Sequence, residues 1–407
     1  MDIAIRPVGD EQLDTFDRAV GAGCSYHSSD EELVQARERY HRGFDRRIFA
    51  AFDGEQIVAT GINVPMAITL PGGASLPMAA VTAITTRPTH RRRGLVTSMI
   101  GTLIDDAAAH GDPIAGLWAS ESVIYGRFGY GIAIEADSWE LERQYAAFES
   151  SVAISGSVRM VDTVADARAA YEQVWQRAHA AQPGMPKRTD RMWDVRLMTQ
   201  GEGTIQFAVL YEEAGRCDGY AFYRVRPDSR DGLPQNEVII QELVTVTDAA
   251  HAALWRFVCS IDLSKTIRAS NRAVDDPLLW MLADPRRLAR RTRDAIWLRI
   301  IDVPRTLEAR TYGISGALVL DVVDAFRPQS GGRFRLDSDG VHATCVRTDA
   351  APDLKLSAAD LAAIYLGGTS CSVLARAGRI EEHTAGALRT ADLLFATERA
   401  PWCPQGW

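Results

Sequence analysis

The residues best placed to do chemistry lie together from Thr85 to Leu95, in the run TTRPTHRRRGL. Residues 76–86 upstream are apolar with β-branched side chains and stop before Pro88, which predicts a buried strand. Downstream, Leu95, Met99, Leu103, Ile104 and Ala107 recur at helical spacing and predict a helix over 94–109. A helix start leaves backbone N–H groups unpaired, and its dipole favours an anion. Gly94 lets an anion approach the backbone, and Arg91, Arg92 and Arg93 add positive charge, so the joint suits a phosphate. It is neither GxxxxGK[ST] nor GxGxxG. The plainer alternative is a solvated basic helix start.

The elements that must hold this joint follow from the flanking sequence. Residues 47–52 and 56–64 read as a hairpin across Asp53-Gly54-Glu55, and 114–119 as another core strand. Asp30, with Glu31 and Glu32, reads as a helix N-cap and acidic first turn; these acids either border an acceptor site or are an ordinary helix start. A second unit begins near Ser151. Its hairpin (207–211, 219–225), strand (238–247) and helix (251–258) repeat the first pattern. The second joint reads Asp248-Ala-Ala-His251, without the arginines or the glycine. A third unit begins near Ala295. Residues 318–323, 332–336 and 341–346 predict a meander, and Ser357 caps a helix through Leu361, Ile364 and Tyr365 that ends at Gly367-Gly368. The final WCPQGW, ending in Trp407, is apolar and turn-rich, which predicts a tucked rather than a loose segment.

Composition narrows the function classes. The 407 residues carry 45 basic and 53 acidic side chains, a net charge of −8, with 46% hydrophobic and 24% charged residues. This is an ordinary globular composition, and its acidity disfavours a general nucleic-acid binder while favouring the approach of cations. No run approaches the ~18 apolar residues of a membrane span. The start MDIAIRPVGDEQ lacks the basic and apolar regions of a signal peptide, so a cytoplasmic protein is expected. Six scattered cysteines without CxxC read as buried or semi-buried thiols, and eight scattered histidines without HxxxH or HExxH predict no metal site.

Arg91-Arg-Arg-Gly94-Leu95-Val96 resembles the Q/R-x-x-G-x-G/A pyrophosphate loop of the GCN5-related N-acetyltransferases, with Val96 in place of the last small residue. Ile124-Tyr125-Gly-Arg-Phe-Gly-Tyr130 resembles the turn after that family's fifth strand, with Tyr125 and Gly129 in register. These elements, a glycine-free second copy, the junction DPLLWMLADPRRLARRTRDAIWLRIIDVPRTLEARTY and a strand-rich third part together resemble the enhanced intracellular survival family of acetyltransferases. The resemblance covers nearly the whole chain. It implies an α/β plus α+β architecture: a catalytic acetyltransferase domain over 1–148, a degenerate copy over 149–294, and a sterol-carrier-like domain over 295–407. It also implies acetyl-coenzyme A as co-substrate, a homohexamer, and cationic amine acceptors such as aminoglycosides or lysine side chains.

Under that resemblance the chemistry distributes over named residues. Ile84, Thr85 and Thr86 offer backbone groups to the pantetheine arm and an N–H to the oxyanion. The amides of Arg92, Arg93, Gly94, Leu95, Val96 and Thr97 cradle the pyrophosphate. Ser120 and Glu121 end the next strand and border the same crevice. Tyr125 is placed to protonate the departing thiolate, since a phenol of pKa near ~10 keeps its proton at neutral pH. The base implied is the main-chain carboxylate of Trp407. An acetyltransferase of protein lysines or N-termini is the enzymatic alternative, and a non-catalytic coenzyme or lipid carrier is the alternative from another class.

Overall fold

A computed structural model describes residues 3–27, 29–36, 38, 43–198 and 205–407. Residues 1–134, 296–398 and 406–407 belong to one compact unit, and residues 135–295 and 399–405 to another.

The first unit opens with β1 (Ala4–Pro7), α1 (Leu13–Gly23), α2 (Asp30–Ala36), β2 (Arg47–Asp53), β3 (Gln56–Thr69), β4 (Ser75–Thr86), α3 (Leu95–Ala109), β5 (Ile114–Trp118) and α4 (Ser122–Tyr125). Strands β1 to β4 pair antiparallel in sequence order, and β4 then pairs parallel with β5 through α3. The helix forms as its periodicity predicts. Leu95, Met99, Ile100, Leu103, Ile104 and Ala107 are buried on one face. Gly61 of β3 lets that face come close, because a Cβ there would lie 2.9 Å from Met99 and Leu103. Asn63 donates to the Leu103 carbonyl at 2.8 Å and Arg47 bridges Asp106 and Asp112, which locks α3 to the sheet. Asp30 is not the N-cap of α2. Ser29 takes that place, exchanging hydrogen bonds with Glu32 in a capping box, while Asp30 in the first turn pairs with Arg18.

The chain passes into the second unit along β6 (Gly131–Glu142). There follow β7 (Ser157–Val161), α5 (Arg168–Ala181), α6 (Asp190–Leu197), β8 (Phe207–Glu213), β9 (Arg216–Arg226), the short hairpin β10 (Ser229–Arg230) and β11 (Leu233–Pro234), β12 (Asn236–Thr245), α7 (Asp248–Ser260), β13 (Ser264–Arg272) and α8 (Leu278–Met281). The strands are ordered β6-β13-β12-β9-β8-β7. Ala214 (φ 50°) and Gly215 (φ 75°) turn β8 into β9, two left-handed residues of the kind a two-residue hairpin needs. Parallel β12 and β13 joined by α7 repeat the β4-α3-β5 arrangement of the first unit.

Strand β14 (Ala289–Ile300) returns the chain to the first unit, where its second half pairs antiparallel with β5. No strand is expected there from sequence periodicity, because its first half is charged and exposed and its second half apolar and buried. The remaining elements are α9 (Val303–Ala309), β15 (Ser315–Val323), β16 (Gly332–Asp339), β17 (Ala343–Arg347), β18 (Leu354–Ser357), α10 (Ala358–Tyr365), α11 (Cys371–Arg376), β19 (Ile380–Glu382) and α12 (Ala387–Phe395). The expected meander is present as β15-β16-β17, extended by β18 and β19 in a five-stranded sheet. Arg310 is buried, and no carboxylate pairs with it among the described residues. Its guanidinium donates to the Tyr365 and Phe395 carbonyls, the last residues of α10 and α12, so one cation caps two helix C-termini.

All six cysteines are free; Cys24 is exposed, against expectation, because it lies just past the end of α1. No described helix is long and apolar enough to cross a membrane.

Candidate active site

The predicted joint is open at the helix and bulged at the strand. Gly94 is the N-cap of α3 at φ 79°, a left-handed conformation that glycine adopts at no steric cost, and no side chain caps the helix. Arg92 is also left-handed, at φ 64°. Alternation of hand in such a turn directs successive amides inward. A Cβ on Gly94 would meet nothing within 4 Å, and Arg91, Arg92 and Arg93 are exposed. Arg91 donates to the Gly23 carbonyl at 3.3 Å. The α3 N-terminus therefore presents uncapped amides to open, positively charged space, which fits a diphosphate.

On the strand side, Thr60 pairs with Thr85 but Ile62 pairs with Thr82, so Ala83 and Ile84 face Gly61 together. This bulge puts Ala83 at φ 53°, and the Thr60 hydroxyl holds its carbonyl at 2.7 Å. Backbone at Ala83 and Ile84 is thereby turned out of regular pairing. Thr85 and Thr86 are nearly buried, and the Thr86 hydroxyl oxygen has no hydrogen-bond partner among the described residues. An unpaired polar atom beside the bulge suits the amide-bearing arm of a ligand.

Strands β4 and β5 are paired at Met78–Ala80 and Ile114–Gly116 and not beyond, although β4 runs on to Thr86 and β5 to Trp118. Trp407 lodges where they part. Its main-chain oxygen accepts from the Thr82 hydroxyl at 3.2 Å, its indole N–H donates to the Val81 carbonyl at 3.2 Å, and its ring meets Trp118 edge-on at 6.2 Å. The expected tucked end is thus found against the bulged strand.

Tyr125, at the end of α4, is 5% exposed and hydrogen-bonds to Ser120. Burial raises its pKa above the usual phenol value, the Ser120 hydrogen bond opposes that rise, and the Glu121 charge adds to it. The phenol therefore keeps its proton at neutral pH. Glu121 is exposed beside it and is the N-cap of α4. Behind Tyr125, Tyr130 packs edge-on at 6.2 Å and is fully buried. The left-handed turn at Gly129 packs on Arg299, where a Cβ would fall 1.7 Å from Nη1. Arg299 in turn pairs with Asp324.

Every residue singled out in sequence as a candidate lies in the first unit at these positions. Sequence reasoning missed Thr82, Ala83 and Trp118. Ala83 carries no sequence signal, since alanine is a poor advertisement for a left-handed bulge. Trp118 showed only as the end of an apolar run. Asp30 and Glu32 are accounted for by the Arg18 pair and the capping box, and Glu31 lies beside them in the acidic first turn of α2.

The corresponding joint of the second unit differs in physical terms. Thr247 caps α7, its hydroxyl accepting from the Ala250 N–H at 3.2 Å, and Asp248 puts a negative charge in the first turn. An internal cap and an adjacent carboxylate leave little for a phosphate. Among the described residues, no group of three or more His, Cys, Asp or Glu side chains could hold a metal ion.

Comparison with known proteins matches three successive segments of the chain. Residues 4–133 and 184–300 each match an acetyltransferase (GNAT) domain, and residues 303–404 match a sterol carrier protein domain. An uncharacterized N-acetyltransferase of Streptomyces avermitilis is 40% identical over 402 residues, covering 97% of this chain and 96% of the relative. The N-acetyltransferase Eis of Mycobacterium tuberculosis is 36% identical over 358 residues, covering 85% and 84%. The crystal structure of Eis1 from Mycobacterium abscessus superposes with a TM-score of 0.86 at 29% identity over the whole of both chains. Two acetyltransferase domains followed by a sterol-carrier domain, together with the identity to Eis over most of both chains, place this chain in the Eis family of GCN5-related N-acetyltransferases.

Proposed function

We propose that the first unit transfers the acetyl group of acetyl-coenzyme A to an amine of a small polycationic acceptor of the aminoglycoside kind. The observation that carries this reading is the uncapped α3 N-terminus at Gly94 opening beside the parted strands that hold Trp407. The co-substrate supplies an activated thioester. The amides of Arg92 to Thr97 would hold its diphosphate, with the exposed arginines offsetting its charge, and the bulge at Ala83–Ile84 would direct backbone N–H groups to its arm and to the carbonyl oxygen.

Two proton transfers remain, and the chain has a group for each. Tyr125, held protonated by burial, donates to the sulfur that leaves. The Trp407 α-carboxylate takes a proton from the acceptor's ammonium, directly or through a water, and the free amine so formed attacks the thioester carbonyl. An α-carboxyl of pKa about 3.3–3.7 is a weak base, so it acts mainly by placing negative charge beside the amine. The Glu121 carboxylate beside Tyr125 adds to that field and favours a cationic acceptor over a neutral one.

The test is release of coenzyme A thiol from acetyl-coenzyme A in the presence of kanamycin or of a lysine peptide. Release with kanamycin is expected. Release with the peptide alone would replace this acceptor class with protein amines.

A further inference from the structure

Within the first unit, the turn that carries Tyr125 is braced residue by residue. The Tyr130 N–H donates to the Tyr125 carbonyl at 3.4 Å and the Gly129 N–H to the Gly126 carbonyl at 3.0 Å, so residues 125–130 form one closed loop. Phe128 is buried and meets Phe326 edge-on at 5.0 Å. Gly129 lies against Arg299, and Tyr130 packs on Tyr125 itself. At Gly131 a Cβ would fall 1.9 Å from the Ala359 carbonyl oxygen, so glycine there lets α10 come close. Asp324, Phe326 and Ala359 all lie in the stretch matched to a sterol carrier protein domain.

Arg299 holds its place at a cost. It is fully buried and pairs through Nη2 with Asp324, whose other carboxylate oxygen accepts the N–H groups of Phe326 at 3.1 Å and Arg327 at 2.8 Å. Its Nε and Nη1 have no hydrogen-bond partner among the described residues. A buried guanidinium with two unengaged nitrogens is destabilising, and a buried ion pair adds little over an apolar replacement. What the pair supplies is geometry. Asp324 fixes the planar guanidinium, and Gly129 turns against that plane at φ 81°. The same loop also holds α3, where Arg327 pairs with Asp105. One loop thus spans the helix that starts at Gly94 and the turn of Tyr125.

We propose that Arg299 is a positioning residue for acetyl transfer: held by Asp324 and seated against Gly129, it fixes the turn and so the direction of the Tyr125 phenol. The inference rests on the role given to Tyr125 above. It gives the sterol-carrier part, which supplies Asp324 and Phe326, a share in the reaction.

The experiment uses the full chain, with kcat, KM for acetyl-coenzyme A, and Tm measured for each variant. The double variant Arg299→Met/Asp324→Asn removes both charges and keeps an oxygen for the Phe326 and Arg327 amides. It should lower kcat between about 10-fold and about 100-fold, the scale of a ~1 Å misplacement, with KM for acetyl-coenzyme A and Tm nearly unchanged. In a Tyr125→Phe background the same pair of substitutions should cost less than about twofold more, because a residue that acts through the phenol has nothing left to aim. Phe326→Leu removes the ring contact with Phe128 and should show a smaller loss alone and the same silence in that background; it decides the matter if the double variant does not fold. Losses equally large with and without the phenol would overturn the inference, since Arg299 would then serve only the fold. If Tyr125→Phe alone turns over normally, the role of Tyr125 falls and this inference with it. If Tyr125→Phe loses turnover while the double variant keeps it, the brace is refuted and Tyr125 stands.

Discussion

Replacing Gly94 by alanine separates the role of the α3 start in folding from its role in binding. Gly94 sits at φ 79°, where an L-residue costs roughly 1–2 kcal/mol. No atom of the protein lies within 4 Å of the new Cβ, so no clash adds to that cost. Stability should therefore fall by about 1–2 kcal/mol, a drop of about 2–8 °C in Tm for a unit of this size. The same methyl projects into the space assigned to the diphosphate. Losing one hydrogen bond to a charged group costs about 1.5–3 kcal/mol, or between about 10-fold and about 150-fold in affinity. Isothermal titration with acetyl-coenzyme A should show that loss, and titration with acetyl-pantetheine, which has no diphosphate, should not. Unchanged acetyl-coenzyme A affinity, or equal losses for both ligands, would refute the assignment of the diphosphate to this turn.

Tyr125→Phe should lower kcat by about 10²–10⁴-fold, the range for a lost general acid, and leave acetyl-coenzyme A affinity within about twofold. Because burial and Glu121 raise the Tyr125 pKa, steady-state kinetics should show no alkaline decline from this group below about pH 10. Arg310→Met should destabilise the chain by about 2–5 kcal/mol in denaturant unfolding, since it strands the buried Tyr365 and Phe395 carbonyls, with coenzyme affinity retained. Glu242→Gln leaves Arg188 and Arg196 without their carboxylate and should cost about 3–5 kcal/mol at neutral pH. The native carboxyl is depressed to about 2 from 4.5, so its contribution is present above pH 4.5 and lost as pH falls through 2. Thermal unfolding of the Gln variant should accordingly vary less with pH across that window.

The core of the site was legible because it rests on local rules. The apolar run before Pro88, the helical spacing from Leu95 and the glycine at the junction each act over a few residues, and together they locate the joint. The contrast between the two joints was legible for the same reason, although the sequence showed missing arginines and a missing glycine where the structure shows a Thr247 cap. What escaped depends on distant pairing. The Ala83 bulge exists because β3 and β4 change register, and Trp118 matters because Trp407 returns to it. Strand β14 changes environment midway, so no single period describes it. Arg188 and Glu242 lie far apart in sequence, and nothing in either neighbourhood marks them as partners.

The account turns on Trp407 serving the reaction through its free carboxylate in the split between β4 and β5. A protein extended by a few residues beyond Trp407 tests this most directly, with kcat and acetyl-coenzyme A affinity measured side by side. The account predicts a fall in kcat of about 100-fold or more with affinity unchanged, as expected when a proton-transfer group is lost. Normal turnover by the extended protein would contradict it.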